Sequence, residues 1–179
     1  MKILGISGGM HSCGLAYLKD GKPEFAFEEE RFTRIRTYKD FYEMHFRFPY
    51  ESGQNVWYNK DFDWNELDYI TSHYSAKVTE EIWSGIGLGP FPKEKFIKTN
   101  HHRAHCSLAY YCSGFEEDTL VISMDAMGEK YSARYFIGRN GDLKDIGNID
   151  TKHKSLGHYY AILTEFLVFK RLKDEGKVV

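Results

Sequence analysis

At 179 residues, 42% hydrophobic, 16% aromatic and with a formal net charge of −2, the chain suits one ordinary domain or one lobe of a larger protein. Its near-neutral charge gives no electrostatic case for nucleic acid, and no apolar run approaches the roughly 20 residues of a membrane-spanning helix, so neither partner is expected. Three cysteines (Cys13, Cys106, Cys112) without CxxC spacing argue against a disulfide framework, and with no signal-peptide pattern at the start a cytoplasmic location is expected.

In chain order, Lys2–Ser7 reads as a buried strand, followed by the flexible Gly8-Gly9-Met10-His11. Cys13–Leu18 and Pro23–Glu28 read as two further strands joined by an Asp20-Gly21 hairpin. The charge run Glu28–Arg36 predicts a solvated helix start. Residues 37–62 are aromatic, polar and without a clear period. Asp63–Glu66 reads as a capped turn into a strand at Tyr69–Tyr74, and a short helix is expected around Val78–Trp83. The glycine-rich 85–92 stretch lacks the Lys-Ser/Thr ending of a phosphate-cradling loop and reads as a connector.

Strand Lys95–Lys98 leads into the histidine-rich stretch Asn100-His-His-Arg-Ala-His105. Asn100 is a good N-cap and Gly114 a good stop for a helix between them. His101 and His105 then stand one turn apart on one face, where two imidazoles can share a metal ion, and His102 points about 100° away. Cys106 and Cys112 are expected on this helix as small buried residues. The best candidate for a third ligand is Asp125, at the end of the β-forming run Thr119–Met124, because open α/β sheets place ligands at the C-terminal ends of their strands; the other reading is an Asp that caps the turn after the strand.

Beyond this point the opening pattern returns. Leu120–Asp125, a turn at Ala126–Glu129, Tyr131–Ile137, a turn at Gly138–Asp142 and Leu143–Ile149 again read as strand, turn, strand, hairpin, strand. Such a repeat predicts two similar lobes facing each other across a cleft, a first lobe at 1–117 and the start of a second at 118–179. Tyr159–Leu172 reads as the amphipathic helix of the second lobe. Because the chain stops just after this helix, it is expected to be part of a longer polypeptide.

A duplicated βββ unit with helices resembles the actin/Hsp70/sugar-kinase (ASKHA) superfamily, with its ribonuclease H-like α/β fold, here truncated in the second lobe. Particular words narrow the resemblance: Ile3-Leu-Gly-Ile with His11, Asp20-Gly21, Glu29-Glu-Arg-Phe-Thr-Arg34, His101-His-Arg-Ala-His105, Ser113-Gly-Phe, Asp125 with Gly128-Glu129, Ser155-Leu-Gly157 and Glu175-Gly-Lys-Val178. In this order they resemble the N-terminal part of the O-carbamoyltransferases of antibiotic and nodulation-factor modification (NodU/CmcH type).

The resemblance implies an ATP-dependent enzyme. Carbamoyl phosphate and ATP, substrates of the full-length protein, give carbamoyl adenylate in a C-terminal YrdC-like domain absent from this chain. The carbamoyl group then passes to a hydroxyl of a small-molecule acceptor near a divalent metal, with iron or zinc the first candidates. His101, His105 and Asp125 match the metal-ligand words, His11 a catalytic histidine, and Arg36 the place of a substrate-binding cation that is usually Lys. Ser12 stands where the family shows Asp, and Ala126-Met127 where it shows Asp-Gly. Two other readings are weighed: a non-catalytic metal-binding or interaction module, and a sugar-kinase-like phosphotransferase, whose chemistry needs no HxxxH pair.

Overall fold

The structure, a computed structural model, describes residues 1–8, 13–34, 49–59, 62–150, 154–171 and 174–178. The fold is mixed α/β and divides into two compact units, Met1–Thr99 and Asn100–Val179.

In the first unit, β1 (Lys2–Ser7), β2 (Gly14–Lys19) and β3 (Lys22–Glu28) form an antiparallel meander. Asp20 and Gly21 turn between β2 and β3 with φ of 51° and 78°, the positive pair that a two-residue hairpin of matching twist requires. On the other side of β1, β4 (Tyr69–Ser72) and β5 (Phe96–Lys98) pair in parallel, giving the order β3-β2-β1-β4-β5. The strand alternation buries Leu4, Ile6, Leu15, Tyr17 and Ile70 in one cluster. Val56 of α2 (Tyr50–Asn59), Ile82 and Trp83 of α3 (Ala76–Gly85), and Trp64, Leu67, Ile86 and Phe91 complete it.

The charge run is not simply solvated. In the short α1 (Glu29–Thr33), Glu29 is only 5% exposed. Its carboxylate accepts hydrogen bonds from the backbone N–H groups of Glu51 and Ser52 and from the Ser52 hydroxyl, each at 2.9 Å. A buried carboxylate is tolerated here because it satisfies the otherwise unpaired donors at the start of α2.

The second unit holds α4 (His101–Tyr111), the antiparallel meander β6 (Thr119–Gly128), β7 (Tyr131–Arg139) and β8 (Asp142–Asp150), and α5 (Leu156–Phe166). The boundary expected at 117/118 lies inside this unit. Its core consists of Cys106 and Tyr110 of α4 with Val121, Phe136 and Leu143 of the sheet, so α4 belongs with the strands that follow it. Strand β6 runs through the expected turn at 126–129, with an irregular register between Met124 and Gly128, and the turn falls at Glu129-Lys130. Helix α5 begins three residues earlier than its apolar pattern suggested because Ser155 caps it, accepting from the His158 N–H at 3.1 Å. Cys106 is buried as expected. Cys112, the C-cap of α4, is exposed. Among the described residues, no helix is long and apolar enough to cross a membrane.

Candidate metal centre

Asn100 caps α4 as its side-chain type favours: its carbonyl oxygen accepts from the Arg103 N–H at 3.1 Å, and its amide donates to Glu129 at 2.7 Å. With the helix start set, His101 and His105 occupy one face. On β6 the two-residue period places Val121, Ser123 and Asp125 together on the side towards α4. Leu120, Ile122 and Met124 are exposed on the other.

The three expected ligands converge. His101 Nε2 lies 2.8 Å from Asp125 Oδ2, His105 Nε2 lies 3.2 Å from His101 Nε2, and His105 Nε2 lies 3.8 Å from Asp125 Oδ2. Donors bonded to one cation at about 2.0–2.2 Å stand about 3–3.5 Å from each other. Proton counting also suits a cation. If His101 donates its Nε2 proton to Asp125, that nitrogen cannot accept from His105; if it accepts, it faces the carboxylate lone pair to lone pair. A divalent ion satisfies all three atoms at once, and two imidazoles with one carboxylate suit iron, zinc or manganese.

The electrostatics favour the ligating forms. The hydrogen bond from His101 holds the Asp125 carboxyl below its ordinary range, against the opposing effect of burial. Burial first, and then the charge of His101, push the His105 imidazole below its ordinary value. Asp125 is held further by the Ala126 N–H, which donates to Oδ1 at 2.6 Å and leaves Oδ2 towards the histidines. The His105 side chain is 58% exposed, so the cluster is open on one side.

His11 and Arg36 lie outside the described residues. The residues missed from sequence sit behind the cluster. His102, the odd one out on the helix, is fully buried between Ser123 and the Tyr131 carbonyl. Ser155 donates to the Ala126 carbonyl at 2.7 Å, bringing the start of α5 against β6 next to Asp125. A signal for His102 was present: 102, 106 and 110 form an i, i+4, i+8 stripe with Cys106 and Tyr110.

The class so defined is a mixed α/β protein with a cluster of two histidines and one carboxylate between a helix and a strand. Residues 71–179 match the family described as carbamoyltransferase N-terminus, and the chain belongs to that family. It is 32% identical over 177 residues to the uncharacterized protein MJ1051 of Methanocaldococcus jannaschii, covering 99% of this chain and 32% of the relative. It is 26% identical over 215 residues to the uncharacterized protein sll1178 of Synechocystis, covering 99% of this chain and 34% of the relative. The chain thus spans about a third of the length of these relatives. Among solved structures it is similar to an Aquifex aeolicus PPX-GPPA enzyme, at 19% identity and a TM-score of 0.43, covering 99% of this chain and 60% of that one.

Proposed function

We propose that the chain is the N-terminal part of an ATP-dependent O-carbamoyltransferase with an ASKHA-type domain, and that His101, His105 and Asp125 hold its divalent metal. Beyond family membership, the observation that carries this reading is the convergence of one ligand atom from each of these residues, all within 4.8 Å of one another. Once bound, the ion supplies Lewis-acid polarisation of a carbonyl or phosphoryl oxygen.

The remaining work falls to side chains. In the transfer step, the acceptor's hydroxyl oxygen forms a bond to the carbamoyl carbon. The bond from that carbon to the adenylate oxygen breaks, AMP leaves with the electron pair, and the hydroxyl proton goes to a base. His11 is proposed as that base, a role in which a positioned histidine typically contributes about 10²–10⁴-fold. Arg36 is proposed to bind the leaving phosphate, where a planar guanidinium can make two parallel hydrogen bonds. The carbamoyl adenylate is proposed to come from a YrdC-like domain of the same, longer polypeptide, and the acceptor is a small molecule with a free hydroxyl.

The test has two arms. In the full-length polypeptide, pyrophosphate release from ATP should depend on carbamoyl phosphate and be lost when the YrdC-like domain is deleted. Absence of that dependence with every acceptor tried rejects the activity. In the 179-residue chain, metal content should fall to background in a His101→Ala/His105→Ala double variant. Equal content in both rejects the ligand assignment.

A further inference from the structure

We propose that His102 is the positioning residue of this centre: a buried brace between α4 and the β6–β7 hairpin that sets the spacing of the three ligands without touching the ion. The inference rests on the metal reading of His101, His105 and Asp125.

His102 is 0% exposed. A polar ring is costly in such a place unless its nitrogens are paired, and both are. Nε2 lies 2.9 Å from the Tyr131 carbonyl oxygen. A carbonyl can only accept, so Nε2 carries the proton and donates it. Nδ1 lies 2.8 Å from the Ser123 hydroxyl. One side chain of α4 is therefore bonded to two strands at once.

The position of these bonds matters more than their number. Ser123 precedes Asp125 by two residues on the same face of β6, so the bond to Nδ1 fixes the strand one pleat from the carboxylate ligand. His102 follows His101 directly, so the same ring fixes the helix one residue from the first imidazole. Gly128 closes the arrangement. A Cβ there would come within 2.5 Å of His102 Nε2 and 2.6 Å of His101 Cδ2, so the hairpin backbone rests against both rings at a distance only glycine permits.

An apolar side chain of similar size at 102 would fill the space but carry no directional bond. Helix α4 could then slide or roll on β6 by a fraction of an ångström. Ligand sets tolerate only about 0.5 Å of such error.

The test is Co(II) titration of the 179-residue chain, read by the visible absorption of the bound ion alongside thermal unfolding. His102→Leu and Ser123→Ala should weaken Co(II) binding by about 10–100-fold, the scale on which loss of support outside the ligands themselves acts, and alter the absorption band. His102→Gln, whose amide nitrogen reaches the place of Nε2 and can still donate to Tyr131 but leaves Ser123 without the ring, should lose no more affinity than Ser123→Ala and less than His102→Leu. Val121→Ala, which loosens the core beside the ring but takes part in neither of its hydrogen bonds, should lower stability and leave affinity unchanged. The brace is refuted if His102→Leu binds Co(II) as tightly as wild type, or if Val121→Ala loses as much affinity as Ser123→Ala. Failure of the wild-type chain to bind Co(II) is a different result. It overturns the metal reading and the brace together.

Discussion

Gly157→Ala is the substitution on which two opposing effects can be weighed most directly. Gly157 is the second residue of α5. Taken alone, alanine should be favoured in a helix by up to about 1 kcal/mol. Here, however, its Cβ would lie 2.6 Å from both the nitrogen and the Cα of Ala126, inside the 3.0 Å below which such contacts essentially do not occur. The obstruction is backbone, so no rotamer change relieves it. Either α5 must lift or β6 must shift just beyond Asp125. Overpacking of this kind costs about 1–3 kcal/mol, and the helix gain offsets only part of it, leaving a net loss of about 1–2 kcal/mol. For a unit of this size that lowers Tm by about 4–16 °C, measurable by circular dichroism on the 179-residue chain. Gly176→Ala, with nothing within 4 Å of its Cβ, is the control and should leave Tm unchanged. An unchanged or raised Tm for Gly157→Ala would mean that helix propensity governs the site and that α5 does not press on β6 at Ala126.

Three further outcomes are expected. Asp125→Asn keeps the shape but removes the charge, and should weaken Co(II) binding by more than the roughly tenfold that even an outer partner costs; affinity equal to wild type would rule out a carboxylate ligand. Because His105 has a lowered folded-state pKa, the unfolded chain takes up that proton first, so metal-free stability should fall as pH drops from about 6.5 through the lowered value and then level off. Asp125, also lowered, adds a second fall below its ordinary carboxylate range. Tm against pH for wild type and His105→Gln checks this, and a step of equal size in both between pH 7 and 5.5 would exclude His105 as its source. Glu29→Gln turns one carboxylate oxygen into a donor facing donors at the start of α2, and should cost about 1–3 kcal/mol in urea unfolding. No loss would mean that the buried carboxylate is not what holds α1 to α2.

Much of the local structure was legible because it is written in near neighbours. The Asp20-Gly21 hairpin, the Asn100 cap and the one-turn spacing of His101 and His105 each depend on residues within a few positions. Asp125 was legible as well, since strand alternation and the end of an apolar run mark where a strand offers a side chain. Less legible was the course of β6 beyond Asp125, where an irregular register carries the strand through residues that read as a turn. Glu29 was misread because its partners are the N–H groups of a helix 22 and 23 residues away, and a charge run looks the same whether or not such a helix end meets it.

What the sequence by itself determined, then, was the order of the strands, the helix at His101 and the identity of three converging donors, but not α2 within the unpatterned 37–62 stretch, because the former follow from periods of 2 and 3.6 and from local capping chemistry. Only the tertiary structure decided that α4 belongs with the strands after it, that His102 turns inward to Ser123 and Tyr131, and that α5 closes on Ala126. Those outcomes depend on how whole elements seat against one another, as across the 21 residues between His102 and Ser123, which side-chain packing sets and a one-dimensional pattern does not contain.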